Sequence, residues 1–333
     1  MDATTNNSST FNDTENTPPY LHHHSRTYVI ITAVIFALIG IFGILGNALV
    51  IIVIEKLPPK NRSMPLYLLC AQAVTDLGAS LLIIPVTFCS IFDVQPAKHA
   101  PILGHVYCRF IESFSILFIA FSLSSYNLTL LAYERYVAVV KPMVYKARFT
   151  VSHSKKLLHV MWVFAPLSQI ILIIFQFNYD SREGSCMYNP SFGPTFQSVT
   201  GVIVFLWEYL IPVCIMLISY FCIVKRLRSQ RKRIESWNLP APPNAVTFTH
   251  AQKSSSHKVT LTLLACSAIY LICWTPNQLL FLRYNLGVET DFTSIFYNCT
   301  VLLVFVNSCR NPIIYALRFR KNKGRLKEII KSK

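Results

Sequence analysis

The fold class this sequence predicts is all-α integral membrane: a bundle of seven transmembrane helices closed by a short amphipathic C-terminal helix. Three observations predict it. The chain is 53% hydrophobic and only 14% charged, whereas a soluble core of this size would show amphipathic periodicity and charged faces. Seven apolar segments reach the ~20 residues a helix needs to cross a bilayer core. The net charge of +16 is gathered in alternate segments between them, as the positive-inside rule expects of a multi-pass protein.

The elements follow in order. Residues 1–26 are polar and rich in Asn, Thr and His. They lack the apolar stretch of a secretory signal, so the first span is expected to act as its own insertion signal. Asn6, Asn7 and Asn12 each begin an N-x-Ser/Thr sequon, which marks an extracellular glycosylated tail. The spans are expected at about 27–54, 64–92, 107–140, 157–179, 198–224, 258–282 and 292–317, as one seven-transmembrane domain covering 27–317. Basic residues cluster after spans one (Lys56, Lys60), three (Lys141, Lys146, Arg148), five (Lys225, Arg226, Arg228) and seven (Arg318, Arg320, Lys321). That places the C-terminus in the cytoplasm and the N-terminus outside, in the plasma membrane. Residues 237–249 of the third inner loop include Pro240, Pro242 and Pro243 and read as flexible. The basic start of that loop would extend span five by a turn or two, facing a partner or anionic lipid. Residues 318–333 read as a basic helix lying along the inner leaflet, with Phe319, Leu326, Ile329 and Ile330 on its apolar side.

Outer segments carry Asp93, Asp180, Glu183, Glu289 and Asp291, and Glu112 and Glu208 lie in the outer halves of spans three and five. A negative mouth of this kind steers cationic ligands. Most of the ten cysteines fall in apolar segments and behave as small hydrophobes. Cys108 and Cys186 instead face the oxidising side, where a disulfide between them is chemically permitted. It would pin the loop between spans four and five over span three.

Several function classes are excluded. Nucleic-acid binding needs a basic soluble domain, and the basic residues here trace topology instead. No nucleophile–base constellation, phosphate loop or metal-ligand spacing supports an enzyme. The run His22-His23-His24 reads as part of a solvated tail. A transporter or channel would show inverted repeats and more midplane charge.

The motifs carry a resemblance. Gly46-Asn47 lies in span one, Asp76 in span two, and Cys108, Ser124 and Glu134-Arg135-Tyr136 in span three. Trp162 follows in span four, Pro212 and Tyr220 in span five, and Cys273-Trp274-Thr275-Pro276 in span six. Asn307-Ser308 and Asn311-Pro312-Ile313-Ile314-Tyr315 close span seven. In this order and placement they resemble rhodopsin-like (class A) G-protein-coupled receptors, over nearly all of residues 27–320.

The resemblance implies roles. Asp76 is a costly mid-membrane acid and a functional candidate by default. With Ser124, Asn307, Ser308 and Asn311 it resembles the family's allosteric sodium pocket; no other cofactor is implied. Arg135 is expected to pair with Glu134 at rest and to meet the heterotrimeric G protein when active, with Tyr136 beside it. Trp274, at the Pro276 kink, resembles the ligand-sensing switch; Pro212, Tyr220, Pro312 and Tyr315 are further joints of that switch. The relatives imply an extracellular ligand. No lysine in span seven is available for retinal, and Ser115 or Leu117 stands where amine receptors carry an aspartate. Glu112, Glu208, Asn277, Gln278 and Arg283 would make a polar, partly charged cavity suited to a peptide, as in neuropeptide receptors. The alternative is a small-molecule or lipid ligand. Ser254, Ser255 and Ser256 are the better sites for phosphorylation and hence arrestin.

The chain also departs from the family. Cys108 to Arg135 is two residues longer than usual, so span three starts higher or contains a bulge. Ser256 replaces an acid that would lock the Arg135 region, which predicts basal activity. Arg310 stands before Asn311 where an apolar residue is usual. Gln72 stands where the family favours Leu, and Tyr270 where it favours Phe.

Overall fold

The computed structural model describes residues 26–58, 64–91, 94, 100–149, 151–188, 193–236, 243–292 and 294–319. The sequons at Asn6, Asn7 and Asn12 and the tail 320–333 lie outside the described residues, as do the side chains of Ser254, Ser255, Ser256, Arg310 and Tyr315. Lipid offers backbone groups no partners, so apolar segments satisfy them internally as helices. The helices are α1 Arg26–Glu55, α2 Met64–Ile91, α3 Pro101–Tyr107, α4 Ser115–Val140, α5 Pro142–Arg148, α6 Val151–Gln176, α7 Gly193–Phe205, α8 Ile211–Ser236, α9 Pro243–Asn285 and α10 Ile295–Phe319. Among the described residues, Ile30–Glu55, Met64–Cys89, Ser115–Val140, Gly193–Gln230 and Thr260–Asn285 are long and apolar enough to cross a membrane. The 26-residue α6 and 25-residue α10 complete the seven.

α4 is the axis of the bundle. It packs on α2, α6, α8 and α9. In its most apolar window 72% of residues are buried, against 33% in α1. The lipid-facing side is apolar too, with Phe42, Leu45, Phe221 and Ile272 exposed. Burial in this protein therefore separates helix contacts from lipid contacts, and polar residues mark the interior.

The third span is not the single helix expected over 107–140. α3 runs into a π-helical turn, Cys108–Glu112, and the chain then breaks at Phe114 before α4 begins. Phe114 has φ 56°, a left-handed conformation that is uncommon for a non-glycine residue. The Ser113 hydroxyl braces the break by donating to the Arg109 carbonyl at 2.6 Å. The extra residues before Arg135 are thus absorbed above Ser115, and the register from Ser124 onward is regular.

Other boundaries move as well. The fourth span ends at Gln176, because the following residues pair as a hairpin, β1 Phe177–Asp180 with β2 Ser185–Tyr188. Span five contains a second π turn, Leu206–Leu210, before α8. Pro212 lacks the N–H that the Glu208 carbonyl would accept in a regular helix, which favours the wider turn. α8 continues to Ser236, about three turns beyond the expected end. The loop expected to be flexible over 237–249 is helical from Pro243, where α9 begins. Lys141 ends α4 at φ −124° because Pro142 follows.

Candidate functional site

The polar centre of the bundle is built where α2, α4 and α10 meet. Asp76, Ser124, Gln72 and Asn311 are fully buried. Ser124 donates its hydroxyl to Asp76 Oδ1 at 2.7 Å, and Asn311 Nδ2 donates to Oδ2 at 2.6 Å. Gln72, one helical turn before Asp76, donates through Nε2 to both carboxylate oxygens at 3.0 and 3.1 Å. The same nitrogen reaches Ser124 Oγ at 2.5 Å. Asn127 donates to Gln72 Oε1 at 3.0 Å and to the Leu68 carbonyl at 3.1 Å. Asn307 and Ser308 are also fully buried, and Ser308 Oγ has no hydrogen-bond partner among the described residues.

The carbonyl that Pro312 leaves unpaired in α10 is satisfied by a neighbour. Pro312 has no N–H, so the Ser308 carbonyl one turn earlier loses its helical donor. Asn47 on α1 supplies the bond, Nδ2 to Ser308 O at 2.9 Å. Asn47 therefore serves the backbone break at Pro312, while Asn311 serves Asp76. Gly46 makes the approach possible. A Cβ there would lie 2.7 Å from Pro312 Cβ.

An aromatic chain crosses the bundle above this centre. Trp274 is buried, and its ring meets Phe121 edge-on at 5.8 Å. Phe121 leans on Phe305 at 5.7 Å, and Phe305 on Phe36 at 4.9 Å. Phe121 is three residues before Ser124, so one face of α4 touches both the indole and the Asp76 cluster. The indole N–H has no partner among the described residues. Tyr270 caps the other side of Trp274 at 6.0 Å and shares a 2.7 Å hydroxyl bond with Ser125. Pro276 and Pro312 are half-buried, and Pro212 and Tyr220 are buried as their eight-residue spacing predicts. Ser267 donates to the Tyr220 hydroxyl at 3.3 Å.

At the C-terminal end of α4, Arg135 forms a two-point pair with Glu134, Nε–Oε2 at 2.5 Å and Nη2–Oε1 at 2.6 Å. Both side chains are buried. The Tyr145 hydroxyl on α5 donates to Glu134 Oε1 at 2.6 Å. Burial pushes the Tyr145 phenol up, and the neighbouring Glu134 charge adds to this, so it stays a donor at neutral pH. Tyr136 is half-buried, with the Lys141 ammonium 5.7 Å from its ring centre.

The outer residues are less united. Cys108 and Cys186 form a disulfide, which ties β2 to the π turn at the top of α4. Arg109 adds a bond to Asn178 on β1 at 3.2 Å. Glu112 lies half-buried in that turn. Glu208 is buried in the second π turn and accepts from Gln169 on α6 at 2.7 Å on each oxygen. Asn277 donates to Thr300 on α10 at 3.3 Å, and Gln278 is buried beside it on α9. Arg283 is exposed and donates to the Glu289 carbonyl at 3.3 Å. Trp162 is 39% exposed, facing outward from α6.

Gln72, Asn127, Phe121, Tyr145 and Gln169 are site residues that the motif reading did not assign. Three had a usable signal, Phe121 because it precedes Ser124 by three residues. Gln72 precedes Asp76 by four residues and Asn127 follows Ser124 by three, spacings that put each pair on one helix face. Gln169–Glu208 and Tyr145–Glu134 join separate helices and had none.

Seven helices around a buried acid-centred network, with an ion-paired arginine at the C-terminal end of the central helix, define a seven-transmembrane receptor. Residues 46–315 match the family model described as 7 transmembrane receptor (rhodopsin family), and the chain belongs to that family. It is a class A G-protein-coupled receptor and not an enzyme. Among its relatives, the histamine H2 receptor of Rattus norvegicus is 28% identical over 290 residues, 86% of this chain and 75% of that protein. Galanin receptor type 3 of Homo sapiens is 26% identical over 310 residues, 89% and 77% of the two chains. The allatostatin-A receptor of Bombyx mori is 27% identical over 299 residues, 86% and 75%.

Proposed function

We propose that this receptor binds an extracellular peptide and activates heterotrimeric G proteins by rearranging spans five to seven. The observation that carries the ligand class is the outer half of α4. The only acid in Ser115–Val140 is Glu134, at the cytoplasmic end. The positions where a protonated amine would need a carboxylate on this helix hold Ser115 and Leu117, both buried. Peptides are read instead by scattered amides, mixed charges and backbone groups, which Asn277, Gln278, Glu112, Arg283 and the hairpin edges provide. Two of the relatives are named for peptides, galanin and allatostatin-A.

In this reading the N-terminus is extracellular and the C-terminus cytoplasmic. Ligand contact is sensed at Trp274, carried through Phe121 to the Asp76 network and the Pro312 kink, and delivered by release of Arg135 from Glu134. Arrestin would engage through the third inner loop. The second reading, an amine, is favoured by the histamine H2 receptors among the relatives. One assay separates the two: a peptide library and an amine panel screened for G-protein signalling in cells expressing this chain, with Arg135→Ala as the non-signalling control. Peptide responses support the proposal; responses to amines alone overturn it.

A further inference from the structure

The acid at the centre of the bundle has its coordination filled from within the chain. A carboxylate offers about four lone-pair positions. Oδ1 of Asp76 accepts from Gln72 and Ser124, and Oδ2 from Gln72 and Asn311. Ser124 Oγ, a second oxygen of the implied sodium pocket, also accepts from the Gln72 nitrogen at 2.5 Å, whose two hydrogens are shared among the three oxygens. A hard cation is held by oxygen lone pairs. Here those lone pairs face N–H and O–H groups, whose positive ends repel a cation. The residues present do not fit an ion between Asp76 and Ser124.

The orientation of the Gln72 amide is set by its other end. Asn127 Nδ2 donates to Gln72 Oε1, so a flipped amide would place an oxygen against the carboxylate and a donor against a donor. Asn127 is itself anchored on the Leu68 carbonyl. The amide is therefore held with its NH2 group at Asp76 by a second buried residue of the chain.

We propose that Gln72 is the specificity-determining residue of this cavity: its Nε2 is a tethered stand-in for the cation, which makes the receptor indifferent to sodium. Its removal would free one acceptor position on each Asp76 oxygen, with Oδ1 still bonded to Ser124 and Oδ2 to Asn311, and would free Ser124 Oγ as an acceptor. These oxygens would stand by Asn311, whose Oδ1 has no hydrogen-bond partner among the described residues. That oxygen set suits a hard monovalent ion.

The test is thermal unfolding of the purified full-length receptor in sodium chloride against potassium chloride at equal ionic strength, which needs no agonist. Wild type is expected to unfold at the same midpoint in both salts. Gln72→Leu is expected to gain a sodium-specific rise, lost again in Gln72→Leu/Asp76→Asn. At sodium ten times its dissociation constant the folded-to-unfolded ratio of Gln72→Leu would rise about 11-fold. A sodium-specific rise in wild type that Asp76→Asn removes would overturn the proposal. So would a folded Gln72→Leu that ignores sodium. If Gln72→Leu does not express, Gln72→Met is read in the same way, and the wild-type arm decides independently.

Discussion

Replacing Tyr145 with Phe removes one hydroxyl and leaves the rest of α5 in place. The ring still stacks on Phe149, 5.6 Å away at 14° between planes. What is lost is a 2.6 Å hydrogen bond to the carboxylate that holds Arg135. Hydrogen bonds to charged groups contribute about 1.5–3 kcal/mol. The phenol is half-buried, so the lower end of that range applies. About 1.5 kcal/mol shifts a two-state equilibrium roughly tenfold, and a minor active state near ~1% would rise to roughly a tenth of the population. The assay is ligand-free G-protein signalling at matched surface expression, with Glu134→Gln as the reference for a fully opened clasp. Raised signalling in Glu134→Gln beside unchanged signalling in Tyr145→Phe would refute the reasoning.

Three further outcomes are expected. Arg135→Ala should abolish G-protein activation while leaving surface expression intact; full signalling would remove the arginine from the coupling role. Asn47→Leu keeps the branched shape of the side chain but strands the Ser308 carbonyl in the bundle, at about 1–3 kcal/mol. It should lower thermal stability, while Asn47→Asp should lower it further by bringing a carboxylate to a carbonyl. Cys186→Ala opens a crosslink with a sequence separation of 78, worth about 4–5 kcal/mol on loop-entropy grounds. It should make the hairpin protease-sensitive in intact cells, and an unaltered digestion pattern would show that the strands hold it without the disulfide.

Span number was legible in the chain because lipid imposes it. Twenty apolar residues in a row have no other stable arrangement in a bilayer. Pro212, Pro276 and Pro312 announced breaks in the backbone hydrogen bonding for a similarly local reason, the missing N–H. The pairing of Glu134 with Arg135 was legible because the partners are neighbours in sequence. The two-residue excess before Arg135 showed that something must give, but not where.

Contacts between spans decided the rest. Asn47 finds the Ser308 carbonyl 261 positions away, because Gly46 lets α1 close on Pro312. Gln169 takes both oxygens of Glu208 only because a π turn rotates that acid toward α6. Gln72 read as a departure from a pattern, a glutamine where leucine is usual. Its meaning came with α4 alongside, when Asn127 turned its amide and Ser124 and Asp76 received its NH2 group. Hydropathy and charge act along the chain and can be read there; a hydrogen bond between buried side chains depends on register and rotation, which arise only when the helices pack.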